Sequence, residues 1–151
     1  MPKIDIELIK KLREETGVAI IRIREVLDEV KGNEKKALDI LKKEGLKKAE
    51  KREGRETSQG KIFVYAHHTG KIVGVVELLC ETDFVAKTEI FESVGRDLAM
   101  QAASMGVKNF EKQDFVKDPS KKVSKLIKEV IAKTGENVKL GRVERIELGV
   151  K

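Results

Sequence analysis

Residues 61–84 read KIFVYAHHTGKIVGVVELLCETDF, and the fold turns on how this stretch pairs. β-Branched and aromatic residues stand on both sides of His68-Thr69-Gly70-Lys71. Two such runs around a polar turn predict a hairpin. Residues 72–80 are almost continuously apolar, which predicts a central strand covered on both faces. From Lys87 the pattern becomes helical, with Phe91, Val94, Leu98, Ala102 and Met105 on one face and Gly106 at the end. Lys108 to Ser120 is a charged connection holding Phe110, Phe115 and Pro119. Val123, Leu126, Ile127, Val130 and Ile131 mark a further helix that stops at Thr134-Gly135. The tail NVKLGRVERIELG alternates, with Val138, Leu140, Val143, Ile146 and Leu148 apolar and Arg142, Glu144 and Arg145 polar; Gly141 suits a bulge. Residues 61–151 thus predict a ββααβ unit, an α+β fold with helices on an antiparallel sheet.

Upstream, residues 1–45 predict three short helices. Asp5 suits an N-cap before Leu8, Ile9 and Leu12, and Gly17 a left-handed C-cap. Ile20, Ile23, Val26, Leu27 and Val30 follow the helical period until Gly32-Asn33. Asn33 caps a third helix with Ala37, Leu38 and Leu41, which Gly45 is expected to close. Residues 46–60, LKKAEKREGRETSQG, hold almost nothing apolar and read as a frayed extension and a linker. A core as small as that of residues 1–45 is marginal alone and leans on a neighbour or a partner.

Of the 151 residues, 40% are apolar and 38% charged, enough apolar material for a core. No apolar run approaches the roughly 20 residues that cross a bilayer. The N-terminal stretch is too acidic for a transit peptide and has no signal-peptide cleavage site. One cysteine fits a reducing, cytoplasmic setting. Net charge is +6, yet residues 1–60 and 61–151 each hold 16 basic and 13 acidic side chains, interleaved. With no tryptophan and one tyrosine for base stacking, no direct nucleic-acid partner is expected.

Chemistry-bearing patterns are few. Cys80 reads either as a nucleophile with His67 and His68 as bases or as a buried strand cysteine. His67 and His68, as neighbours on a strand, would face opposite ways, so no metal pair and no cofactor is expected. Glu81-Thr82-Asp83-Phe84-Val85 has two readings. Asp83 caps the following helix while Phe84 enters the core, or the turn presents an acid and an aromatic to a partner.

CETDFVAK (residues 80–87) resembles the hallmark segment of the elongation factor Ts family, the guanine-nucleotide exchange factors of elongation factor Tu. Leu12-Arg13-Glu14-Glu15-Thr16-Gly17-Val18 is similar to the family's opening signature. Tyr65-Ala66-His67 and GKIVGVVELLCETDFVAKTEIF resemble its central hairpin, and residues 115–149 its C-terminal block. The blocks cover nearly the whole chain in the family's order. Departures are Arg22-Ile23-Arg24-Glu25 in place of the usual Asp-Cys-Lys-Lys, Leu79 in place of asparagine, Asp114 in place of a frequent proline, and a short 106–113 region where relatives insert a longer segment.

The resemblance implies a ubiquitin-associated-like helical module (1–45), a linker (46–60) and a shortened core (61–151). It implies an exchange factor rather than an enzyme, with elongation factor Tu as partner. Thr82, Asp83, Phe84 and Val85 are its expected intrusion residues. Leu12, Arg13, Thr16, Gly17, Ile20, Ile21, Arg24 and His67 are its expected partner contacts. Contacts made by the missing segment do not carry over. A strand edge left uncovered there makes a homodimer an open expectation. The rival readings are a ubiquitin-associated-like adaptor or RNA-binding protein without exchange activity, and an enzyme built on Cys80.

Overall fold

The computed structural model describes residues 5–151; residues 1–4, the start of the expected helical module, lie outside them. The Asp5 carboxylate accepts the Glu7 N–H at 2.9 Å and starts helix α1 (Ile6–Thr16). Helix α2 (Ile20–Glu29) follows, and the Asn33 side chain caps helix α3 (Glu34–Arg52). Leu12, Ile23, Val26, Leu27 and Leu41 form their shared apolar cluster. The sequence departure at Arg22 has a physical role here, because its guanidinium holds Glu44 of α3 and Glu25 of α2.

Strands β1 (Gln59–Ala66) and β2 (Ile72–Cys80) form the expected antiparallel hairpin, with Phe63 opposite Val76. A single-turn helix α4 (Asp83–Ala86) leads to helix α5 (Glu89–Met105). Helix α5 lies flat on one sheet face because Gly74 has no side chain; a Cβ there would stand 2.2 Å from the Ala99 carbonyl oxygen. After a 3-10 turn (Phe110–Lys112) come short strands β3 (Asp114–Phe115) and β4 (Asp118–Lys122), helix α6 (Val123–Thr134) and strand β5 (Val138–Glu147). The main sheet has the order β1-β2-β5, and β3 pairs with β4 in a second small sheet. The chain is α+β: three N-terminal helices, then a three-stranded antiparallel sheet packed against helices.

Four sequence expectations are corrected. Gly45 does not close α3. The helix continues to Arg52, and Gly45 sits where α6 crosses it, a position at which a Cβ would stand 3.2 Å from the Ala132 methyl. A glycine inside a helix costs about 1 kcal/mol relative to alanine, which this close crossing offsets. One turn on, Ala49 is fully buried in the apolar cluster of the sheet domain, so the extension expected after residue 45 is packed rather than frayed. Secondly, β2 is central in the sheet but covered on one face only. Val76, Leu78 and Cys80 are buried beneath the helices, while Val73, Val75 and Leu79 on the other face are half-buried.

Thirdly, the alternation of the tail changes phase. Leu78 pairs with Leu140 but Val76 pairs with Val143, so β5 carries one extra residue around Gly141. Ile146 is thereby turned outward, and Arg145 turns in. The Arg145 Nε donates to the Ala103 carbonyl at 2.8 Å, near the C-terminus of α5, where a cation is favoured. Lastly, the charged connection, which the ββααβ pattern leaves as a loop, holds the 3-10 turn and the strands β3 and β4. Phe110 and Phe115 are buried, and buried Gln101 of α5 donates to the Asp114 carbonyl and accepts the Val116 N–H.

Candidate functional site

The turn between β2 and α5 is built from two threonine caps. Thr82, in extended conformation, accepts the Val85 N–H on its hydroxyl and starts α4. Thr88 accepts the Phe91 N–H to start α5, and its own hydroxyl donates to the Val85 carbonyl at 2.7 Å. One helical turn between two caps divides its side chains by direction. Val85 and Ala86 are buried, whereas Asp83 and Phe84 project. The Phe84 ring is 80% exposed, although a buried ring of that size is among the strongest stabilisers a small core can have. The Asp83 carboxylate lies 3.5 Å from the Lys87 Nζ, one turn along. Of the two readings open in the sequence, capping by Asp83 with a core Phe84 is excluded: Thr82 is the cap, and Phe84 faces outward.

Behind this turn stand residues that the sequence reading did not single out. The Glu136 carboxylate accepts the Thr82 N–H at 2.9 Å and the Thr82 hydroxyl at 2.7 Å. The Asn137 N–H donates to the Glu81 carboxylate at 2.7 Å. The only hint in the sequence was the polar run Thr134-Gly135-Glu136-Asn137 between an apolar helix and a strand, which reads as a loop.

The structure places Cys80 as the buried strand cysteine. It is fully buried, its thiol donates to the Thr82 carbonyl at 3.1 Å, and burial pushes that thiol above its ordinary range. His67 and His68 lie at the opposite end of β2, about 26 Å away at the usual strand rise. They stand past the end of β1, in the turn, so their rings do not point apart as strand neighbours would; the centroids are 4.2 Å apart. Among the described residues, no three His, Cys, Asp or Glu side chains are grouped to hold a metal ion.

The expected partner-contact residues separate into two kinds. Leu12 is fully buried in the helical cluster, and the buried Thr16 hydroxyl donates to the Leu12 carbonyl at 2.6 Å. Gly17 takes a left-handed φ of 70° as the cap of α1, against the backbone of Lys133. These three shape the module and offer no side chain to a partner. Arg13, Ile20, Ile21 and Arg24 are exposed, Ile21 by 74%. His67 is half-buried, its Nδ1 2.9 Å from the Thr69 hydroxyl, and remote from Phe84.

The profile of the family described as Elongation factor TS matches residues 81–151, the span that opens on this turn. The elongation factor Ts of Thermotoga neapolitana is 34% identical over 97% of this chain and 98% of its own length. That of Thermotoga maritima is 36% identical over 97% of both chains, and that of Leptospira biflexa 35% over 95% and 96%.

The chain belongs to the elongation factor Ts family.

It is a translation elongation factor that promotes nucleotide exchange on a G protein, and it makes and breaks no covalent bond. The alignment with the Thermotoga neapolitana protein runs over 193 positions, more than the 151 residues here, so that relative holds residues with no counterpart in this chain. The ordered 106–122 segment, pinned by Gln101, shows how the shorter chain closes its core. No helix among the described residues is long and apolar enough to cross a membrane.

Proposed function

We propose that this chain binds elongation factor Tu in the cytoplasm and accelerates GDP release by inserting Asp83 and Phe84 near the nucleotide site. The observation that carries this reading is Phe84, an apolar ring held 80% exposed on a turn whose backbone is capped at both ends. An exposed aromatic on a rigid mount loses little freedom on docking and serves as an anchor. Thr82 and Val85 belong to the mount rather than to the contact. The helical module adds affinity and register through Arg13, Ile20, Ile21 and Arg24. By linkage, the factor by which this protein weakens GDP is the factor by which GDP weakens this protein. GTP then completes the cycle by displacing the exchange factor.

The test is release of labelled GDP from elongation factor Tu with and without this protein. Catalytic amounts should accelerate release many-fold. Unchanged release would leave the adaptor reading, which requires residues 1–60 alone to carry the binding.

The same reading includes a homodimer, formed through the open sheet face that ends at the edge strand β5. Ile62, Val64 and Ile146 are exposed there beside half-buried Val73 and Val75, an apolar area that favours burial. A symmetric pair would use this face twice and leave both Phe84 rings free. Light scattering over a concentration series reads the mass, and a single-chain mass throughout removes the dimer.

A further inference from the structure

The exposed pair Asp83-Phe84 is only as well placed as Thr82, the residue from which its turn starts. Thr82 has two protons to donate, on the backbone nitrogen and on the hydroxyl, and Glu136 accepts both on its two carboxylate oxygens. The second bond gives the hydroxyl a direction. With its one proton committed to Glu136, it presents lone pairs to α4 and accepts the Val85 N–H. Glu136 is itself aimed. Gly135 ends α6 with φ 76°, and the Glu136 N–H returns to the Thr134 hydroxyl.

Asn137 closes the other side. It is 2% exposed; its N–H donates to Glu81, and its Nδ2 donates to the carbonyls of Glu53 at 3.1 Å and Arg55 at 2.7 Å. Glu81-Thr82 on one strand end and Glu136-Asn137 on the other thus form a clamp at the base of the turn. The clamp also joins the turn to the segment that follows α3.

We propose that Glu136 is a positioning residue for exchange: acting through Thr82, it holds the Asp83-Phe84 turn in the orientation that engages the G protein. This rests on the reading of that turn as the exchange element. A ring that must reach one place in the partner loses rate when its mount is loosened, even though its own contacts are unchanged. A clamp serving stability alone would lower the melting temperature and leave the release rate of folded protein untouched.

The experiment uses the full chain and fluorescent GDP release from elongation factor Tu, followed against exchange-factor concentration. The variants are Glu136→Ala, Glu136→Gln, Phe84→Ala and the double variant Glu136→Ala/Phe84→Ala, each with a thermal melt. Glu136→Ala should lower the saturating release rate about tenfold, the scale of one lost charge-assisted hydrogen bond, with the half-saturating concentration within about twofold of wild type. Glu136→Gln, which keeps the shape and one acceptor, should fall between. The double variant should be slowed by clearly less than the product of the two single effects, because without the ring only Asp83 is left to orient. If Glu136→Ala is too unstable to assay, Glu136→Gln with Phe84→Ala gives the same comparison.

A saturating rate unchanged by Glu136 substitution, or a double variant slowed by the product of the two single effects, overturns the positioning role. In both cases Phe84→Ala alone is slow. A wild-type rate in Phe84→Ala instead overturns the exchange reading of the turn, and the positioning role with it.

Discussion

Gly45 of α3 lies so close to Ala132 of α6 that a Cβ on the glycine would stand 3.2 Å from the alanine methyl. The helical module and the sheet domain therefore share a helix rather than a tether. Leu41 of α3 belongs to one apolar cluster and Ala49, two turns on, to the other. Substituting Gly45→Leu should wedge the two helices apart and cost about 1–3 kcal/mol, as overpacked cores do. Denaturant titration measures it, and an unchanged midpoint would mean the crossing is loose.

Truncation follows from the same contact. A chain starting at residue 51 loses Ala49 and uncovers the face of α6 that α3 packs on, whereas one starting at residue 33 keeps the whole of α3. The first should melt well below the second. Equal melting temperatures would show that the sheet domain does not need α3.

Phe84→Ala should cost on the order of 2 kcal/mol or more in the exchange transition state, as truncated anchors do, and almost nothing in folding. An exposed ring leaves no cavity when removed. A large fall in melting temperature in the free protein would place the ring in the core.

The helical module offers a contrast between two of its apolar residues. Leu12→Ala should destabilise by about 2–5 kcal/mol, since the side chain is fully buried. Ile21→Ala should leave the melt unchanged and weaken binding to elongation factor Tu, which titration calorimetry reads.

Acid should loosen the module through Glu44. The Arg22 guanidinium hydrogen-bonded to it holds its carboxyl below the ordinary value of 4.5. A depressed carboxyl stabilises the fold above its unfolded value, and that contribution is lost as pH falls through the folded one. Glu44→Gln should therefore be less stable than wild type at neutral pH, and the gap should shrink as pH falls below 4.5 and close once it is below the depressed folded value. A gap independent of pH would assign the loss to packing.

Cys80 should react slowly with thiol reagents in the native state and quickly after unfolding. Burial keeps the thiol protonated, and only the thiolate attacks. Rapid native labelling would contradict the buried placement. Cys80→Ala should retain exchange apart from any loss of stability.

Local chemistry determined much of this protein on its own. Asp5 and Asn33 cap α1 and α3, Gly17 and Gly135 end α1 and α6, and the period of Val123, Leu126, Ile127, Val130 and Ile131 defines the buried face of α6, because each signal acts within a few residues. The segment ETDF was legible as a turn for the same reason. What the turn displays was not. Whether Phe84 points in or out depends on Thr82, whose two donors are taken by Glu136, 54 residues further along. The fate of Gly45 likewise waited on Ala132, and the inward turn of Arg145 on an extra residue opposite the break between Val76 and Leu78. Composition and periodicity carry no record of which distant backbone arrives at a given side chain. Only packing brings those groups within hydrogen-bond or van der Waals reach, so direction, coverage and docking were decided in three dimensions.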